Sequence, residues 1–368
     1  MLNTAKRIVI KIGSSLIIGD SNEARKNWLA SLASDIAELK KSSKEIIVVT
    51  SGAVALGRHP LGYGLRQLVL EEKQAAAACG QITLFSLWAE TLKTVGLSSA
   101  QILLTADDSI NRKRYLNARN TLETLLENPA IVPIINENDT VATAELRFGD
   151  NDRLAARVAQ MAGADLLILF SDIDGLYDAD PRINKNAKFQ EKITEITPDI
   201  EKMAGGAGSL VGTGGMATKI AAAKIATNAG CNMIIAKGID DHPLKALADG
   251  GRSTIFLAKE NPLSARKHWI AGTLYSAGTI TIDSGAAKAL HSGKSLLPAG
   301  VTNVTGMFDR GDAVIIQDSE GKRLGRGLIS YDAEDAKRII GKKSAEIEQI
   351  LGFKRRDVLI HRDDMVLE

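Results

Sequence analysis

At 368 residues the chain has room for roughly two to three domains of about 150 residues each. Its composition, 45% hydrophobic and 24% charged with 33 Gly and 8 Pro, excludes a disordered or collagen-like chain. Lys and Arg number 46 against 44 Asp and Glu, and a net charge of +2 is too small to attract nucleic acid or anionic lipid in general, so any anion must be held by local arrangement. Cys79 and Cys231 form no Cys-x-x-Cys pair, which speaks against a disulfide framework or a zinc site and fits a reducing cytoplasm. The apolar run Ile8-Val9-Ile10 stops at Lys11, short of the roughly 7–15 residues of a signal peptide, and no stretch reaches the ~18 of a membrane span. A soluble, cytoplasmic protein is expected.

In chain order, the short apolar runs Arg7 to Ile12, Glu45 to Thr50, Ala100 to Thr105, Ile131 to Asn136, Asp165 to Phe170 and Asn232 to Ala236 predict strands bounded by Gly, Asn, Asp or Ser. Amphipathic stretches at Trp28 to Lys41, Glu71 to Val95, Leu116 to Glu127 and Arg153 to Ala162 predict helices between them. Nearly continuous apolar strands separated by helices imply a parallel sheet covered on both faces, and such sheets bind ligands beyond the carboxyl ends of their strands. Near residue 260 the pattern changes. Asn261-Pro262 ends the preceding element, and from Gly278 short strands split by Gly (Gly278 to Asp283, Asp312 to Gln317, Gly325 to Ile329) alternate with helix-like Asp332 to Ile340 and Ser344 to Leu351. The predicted division is a first domain over 1–258, a linker over 259–277 and a small, largely β domain over 278–368.

The segments after the predicted strands carry the chemistry. Lys11 is followed by Ile12-Gly13-Ser14-Ser15, a cation with a Gly-Ser turn suited to phosphate oxygens; the alternative is a solvated Lys at a sheet edge. Thr50-Ser51-Gly52-Ala53 lets backbone approach a ligand and aims a helix dipole at the same crevice, or simply makes a tight turn with Ser51 as cap. Asn136-Glu137-Asn138-Asp139 and Gly149-Asp150-Asn151-Asp152 hold more short polar side chains than one turn needs. Asn amides can engage a substrate's carboxylate and ammonium, Asp139 can pair with that ammonium, and Asp152 can serve as a helix N-cap or as a charged site residue. Ser171-Asp172 opens a loop reaching Asp180-Pro181-Arg182. Finally, glycines from Gly205 to Gly215 lead into an Ala-rich helix from Ala217 to Ala229, whose first turn holds Lys219, so that amides, dipole and ammonium converge on an anion.

Gly212 to Ala217 matches G-x-G-x-x-A formally, but no strand precedes it, which disfavours a nicotinamide dehydrogenase; a Walker A motif is absent. None of the five histidines falls in these segments. A reaction that needs no strong base fits that distribution: a carboxylate of pKa ~4.3 is already ionised at pH 7 and needs only positive charge to approach a phosphate.

Together, Lys11 to Ser15, Ser51-Gly52-Ala53, Asn136 to Asp139, Gly149 to Asp152, Gly175-Leu176-Tyr177 through Arg182, and Gly212 to Lys219 resemble the amino acid kinase family, within it the branch that acts on free glutamate. Leu296 to Val301, Gly306 to Asp312 and His361 to Met365 resemble a PUA domain. The resemblance implies a three-layer α/β sandwich with a mainly parallel sheet plus a small mainly-β PUA domain. It also implies ATP-dependent phosphorylation of the γ-carboxylate of L-glutamate, with Mg²⁺ and no dedicated protein metal site.

Carried over by position, Lys11, Lys219 and Asp152 would be catalytic, and Ser51, Gly52, Asn136, Asp139, Asp150 and Asn151 would bind substrate. Lys11, Gly13, Ser171, Asp172 and the run Thr213, Gly214, Gly215, Met216, Ala217, Thr218, Lys219 would bind ATP. A homo-oligomer, proline feedback inhibition and coupling to a γ-glutamyl phosphate reductase are further implications. Relatives on the same fold take aspartate, N-acetylglutamate, carbamate or UMP. A PUA domain can also bind RNA, but 14 Lys and Arg against 14 Asp and Glu from Gly278 to Glu368 disfavour that.

Overall fold

The computed structural model describes residues 1–19, 23–142, 151–204, 215–271 and 276–367. These residues form two compact units, Met1–Pro262 and Leu263–Glu368. In the first unit the strands are β1 (Arg7–Ile12), β2 (Glu45–Val49), β3 (Ser98–Leu104), β4 (Ile131–Glu137), β5 (Leu166–Ser171), β6 (Leu176–Tyr177), β7 (Phe189–Gln190), β8 (Lys192–Ile193), β9 (Asn232–Lys237) and β10 (Ser253–Phe256). Eight of them make one sheet in the order β3-β4-β2-β1-β5-β9-β10-β8, and β6 pairs with β7 as a separate ribbon. All neighbours in the large sheet run parallel except β9 and β10. Each of the six predicted strands of this unit is present within two residues of its expected ends. β10 and the short β6 to β8 were not legible, because pieces of two to four residues carry no periodicity of their own.

The strands are buried on both faces, which is why they read as apolar throughout. Ile8, Ile10 and Ile12 of β1, with Leu166, Ile168 and Phe170 of β5, pack against Trp28, Leu32, Leu84 and Trp88 from helices Lys26–Lys41 and Leu70–Thr94. The alternate residues Val9, Leu167 and Leu169 pack against Leu154, Val158, Ala222 and Ala226 from helices Asn151–Ala162 and Met216–Asn228 on the other face. Helix, sheet, helix is the expected three-layer order.

One contact fixes the turn after β2. Helix Ala53–Arg58 crosses Leu70–Thr94 at two facing glycines: a Cβ on Gly57 would lie 1.7 Å from the Ala76 carbonyl oxygen, and one on Gly80 would lie 1.8 Å from that of Ala53. Backbone touches backbone there, with no flexible tip to give way. Gly57→Ala is expected to lower stability by about 1–3 kcal/mol through overpacking, and a thermal unfolding midpoint equal to wild type would contradict this.

The second unit carries β11 (Gly278–Ile282), β12 (Val301–Gly306), β13 (Ala313–Gln317), β14 (Arg323–Leu328) and β15 (Met365–Leu367) in the order β12-β11-β13-β14-β15, closed around Ile280, Val304, Val314, Tyr331 and Ile360. It is mainly β, as expected. The stretch read as a linker instead contains helix Pro262–Ala271, whose Ile270 is buried against Ala313 and Leu328 of this unit. Among the described residues no helix is long and apolar enough to cross a membrane.

Candidate active site

The carboxyl ends of β1, β2, β4 and β5 lie side by side in register: Lys11 pairs with Val49 and with Leu169, and Val49 with Ile135. Two helices begin at this rim, Asn151–Ala162 and Met216–Asn228. Their first turns bring together residues more than sixty positions apart.

Asp152 sits in the first turn of its helix and is fully buried. Its Oδ1 lies 2.5 Å from Lys11 Nζ and its Oδ2 lies 3.1 Å from Lys219 Nζ. Thr218 Oγ1 has one proton for two acceptors in reach, the Gly215 carbonyl at 2.6 Å and the same Oδ2 at 3.3 Å. Burial by itself pushes the Asp152 carboxyl up, but the two ammonium groups and their hydrogen bonds outweigh it and hold the group below its ordinary 3.8. The helix-cap alternative for Asp152 is therefore set aside: both carboxylate oxygens face lysines. Lys11 and Lys219 are themselves 7% and 5% exposed, so the two ammonium groups and the carboxylate between them are all buried.

Gly13 lies beside this group, its missing Cβ position 3.9 Å from Lys11 Nζ. Gly215 is the N-cap of the helix carrying Lys219, at the positive end of its 13 residues, and among the described residues nothing lies within 4 Å of its Cβ position. Met216, Ala217 and Thr218 follow in that first turn. At the end of β5 the Ser171 hydroxyl donates to Asp172 Oδ1 at 2.9 Å. Asp150, Thr213 and Gly214, with the glycine run from Gly205, lie outside the described residues.

A second cluster adjoins the first through the peptide bond between Asn151 and Asp152. Asn151 Nδ2 shares its protons among the Thr50 carbonyl, Ser51 Oγ at 2.8 Å and Asn136 Oδ1 at 2.8 Å. Asn136, 2% exposed, in turn donates from Nδ2 to Gln81 Oε1 at 2.8 Å. Ser51 is thus an acceptor for Asn151 rather than a helix cap, and the cap of Ala53–Arg58 is Gly52 in the left-handed region at φ +112°. A side chain there would be strained, and a Cβ would lie 3.1 Å from Ile18 Cδ1. Asp139 lies two residues beyond β4, half-buried.

Two contributors were not named individually from sequence, the Thr50 carbonyl and Gln81. The first lies in the segment Thr50 to Ala53 already expected to bring backbone to a ligand. The second had a signal: Gln81 falls between Ala77 and Leu84 on the buried side of its helix, a polar side chain within an otherwise apolar stretch from Ala77 to Trp88 at that spacing.

The arrangement offers two ammonium groups oriented by one carboxylate, with a hydroxyl–amide cluster a few ångströms along the same helix start. It contains no histidine, and among the described residues no group of three His, Cys, Asp or Glu side chains could hold a metal ion. This is equipment for drawing two anions together.

Comparison with known proteins agrees in both units. The model of the amino acid kinase family matches residues 6–237, and that of the PUA domain matches residues 278–351. The chain is 59% identical over 368 residues to a glutamate 5-kinase of Paramagnetospirillum magneticum, covering 100% of this chain and 99% of that one. It is 57% identical over 366 residues to a glutamate 5-kinase of Sinorhizobium fredii, covering 100% and 93%. Among solved structures, a carbamate kinase from Giardia lamblia bound to AMP-PNP is similar at TM-score 0.50 and 15% identity, over 70% of this chain and 100% of that one, a likeness of fold alone.

Proposed function

The chain belongs to the amino acid kinase family, and we propose that it transfers the γ-phosphoryl group of ATP to the γ-carboxylate of L-glutamate, giving γ-glutamyl phosphate and ADP, the first step of proline biosynthesis. The observation that carries this reading is the pair Lys11 and Lys219 on the two oxygens of Asp152. In the proposed reaction an oxygen of the substrate carboxylate bonds to the γ-phosphorus as the bond to the β,γ-bridging oxygen breaks, and that electron pair leaves with ADP. The carboxylate enters ionised, so no side chain has to remove a proton. What the protein supplies is alignment and positive charge against two approaching anions.

In this reading Lys11 and Lys219 neutralise the transferring group, and Asp152 holds their ammonium groups in place. Gly13, Gly215, Met216, Ala217, Thr218, Ser171 and Asp172 line the nucleotide's side. Ser51, Asn136, Asp139 and Asn151 bind glutamate, with Asp139 facing its ammonium. Mg²⁺ fits as an ion carried on the phosphate oxygens of ATP, because the carboxylate at the centre of the site already faces two lysines. Bound there, it adds charge neutralisation. The same reading carries forward a cytoplasmic homo-oligomer under proline feedback that hands its labile product to a γ-glutamyl phosphate reductase.

The test is ADP release from Mg-ATP in the presence of glutamate, with hydroxylamine added to trap an acyl phosphate as the hydroxamate. Glutamate hydroxamate is expected to form in proportion to ADP. Turnover with aspartate, N-acetylglutamate, carbamate or UMP but none with glutamate would overturn the assignment.

A further inference from the structure

The amide chain that ends at Gln81 has a direction. At one end the Thr50 main-chain carbonyl can only accept, which obliges Asn151 to present Nδ2, and Asn151 in turn meets the oxygen of Asn136. Asn136 must therefore turn its own Nδ2 away from Asn151, into a buried position where a donor without an acceptor is costly. Gln81 Oε1 is the acceptor found there, at 2.8 Å. Gln81 Nε2 is buried with no partner among the described residues, so the residue's polar contact in the site is this one acceptance.

We propose that Gln81 is a positioning residue for the amino acid substrate: its side-chain oxygen holds the Asn136 amide in the one orientation that both meets Asn151 and receives glutamate. The proposal rests on the reading that Ser51, Asn136 and Asn151 bind that substrate. Ser51 Oγ, accepting from Asn151, keeps its own proton to donate, the polarity a carboxylate requires. The helix Leu70–Thr94 thereby takes part in recognition, although neither its start nor its end lies in the cluster.

The experiment is steady-state kinetics of the full chain with Gln81→Met, which keeps the length and apolar contacts of the side chain and removes the oxygen. Loss of one such hydrogen bond is expected to raise KM for glutamate by about 3- to 10-fold, with KM for ATP and kcat within about twofold of wild type. In an Asn136→Ala background the same substitution is expected to change nothing further, because its effect passes through Asn136. An unchanged KM for glutamate, an equal effect in both backgrounds, or a parallel rise of both KM values with a lowered unfolding midpoint would each overturn the proposal. Ser51→Ala separates the two levels. If it raises KM for glutamate while Gln81→Met does not, the role of Gln81 alone falls, and if Ser51→Ala leaves that KM unchanged, the binding reading falls and takes Gln81 with it.

Discussion

Replacing Lys219 by Met is expected to lower kcat by about a hundred- to a thousandfold while the protein remains folded. The side chain is 5% exposed and its methylene stem packs in the first turn of helix Met216–Asn228, a contact that Met preserves. Only the ammonium is lost. In a transfer between two anions that group acts where charge gathers in the transition state, and removal of one preorganised donor from such a site costs about 3–4 kcal/mol of barrier. Asp152 keeps Lys11 as its partner at 2.5 Å, so the buried carboxylate is not abandoned and the fold survives. The measurement is kcat beside a circular dichroism spectrum and a melting curve. A variant with native spectrum and kcat within about threefold of wild type would remove Lys219 from the chemistry.

Asp152→Asn should act on stability and turnover together. The substitution is isosteric but leaves two ammonium groups buried around a neutral amide, and removing one member of a buried charged group typically costs about 3–5 kcal/mol. A pH signature distinguishes this from simple packing damage. The folded-state pKa of Asp152 is held below its ordinary 3.8, so its stabilising contribution is fully present above that value and is lost as pH falls through the lower folded value. Wild type should therefore lose its advantage over Asp152→Asn progressively below about pH 4. A gap in melting temperature that stays constant from pH 7 down to pH 3 would show that the carboxylate's charge is not what stabilises the site.

Much of this was legible in the residue order, and the limits have physical causes. Continuous apolar runs such as Glu45–Val49 announced buried parallel strands because both faces of the sheet are covered. Lys11 and Lys219 stood out because each follows or precedes backbone able to receive an anion. What sequence could not supply was the pairing of distant ends. Nothing local in Asn151-Asp152 distinguishes a cap from a partner for lysines on two other elements, and Ser51 reads as a cap until Asn151 is seen beside it. Gln81 was passed over because a lone glutamine in a helix is ordinarily solvated; its position within an apolar stripe acquires meaning only once Asn136 is known to face it. In the second unit, β12 was missed because Val301–Gly306 buries only Val301 and Val304, every third residue rather than every second, so it lacks the alternation that marks a strand.

Successive residues on an α-helix point about 100° apart, and Asn151 and Asp152 use that angle to serve two partners at once. Under the proposed roles, a common hinge for both tasks means that a tilt or slide of this one helix cannot tune affinity without also disturbing rate. Selection for a tighter or looser appetite for the amino acid would then have to work through outlying supports, leaving this pair of neighbours untouched.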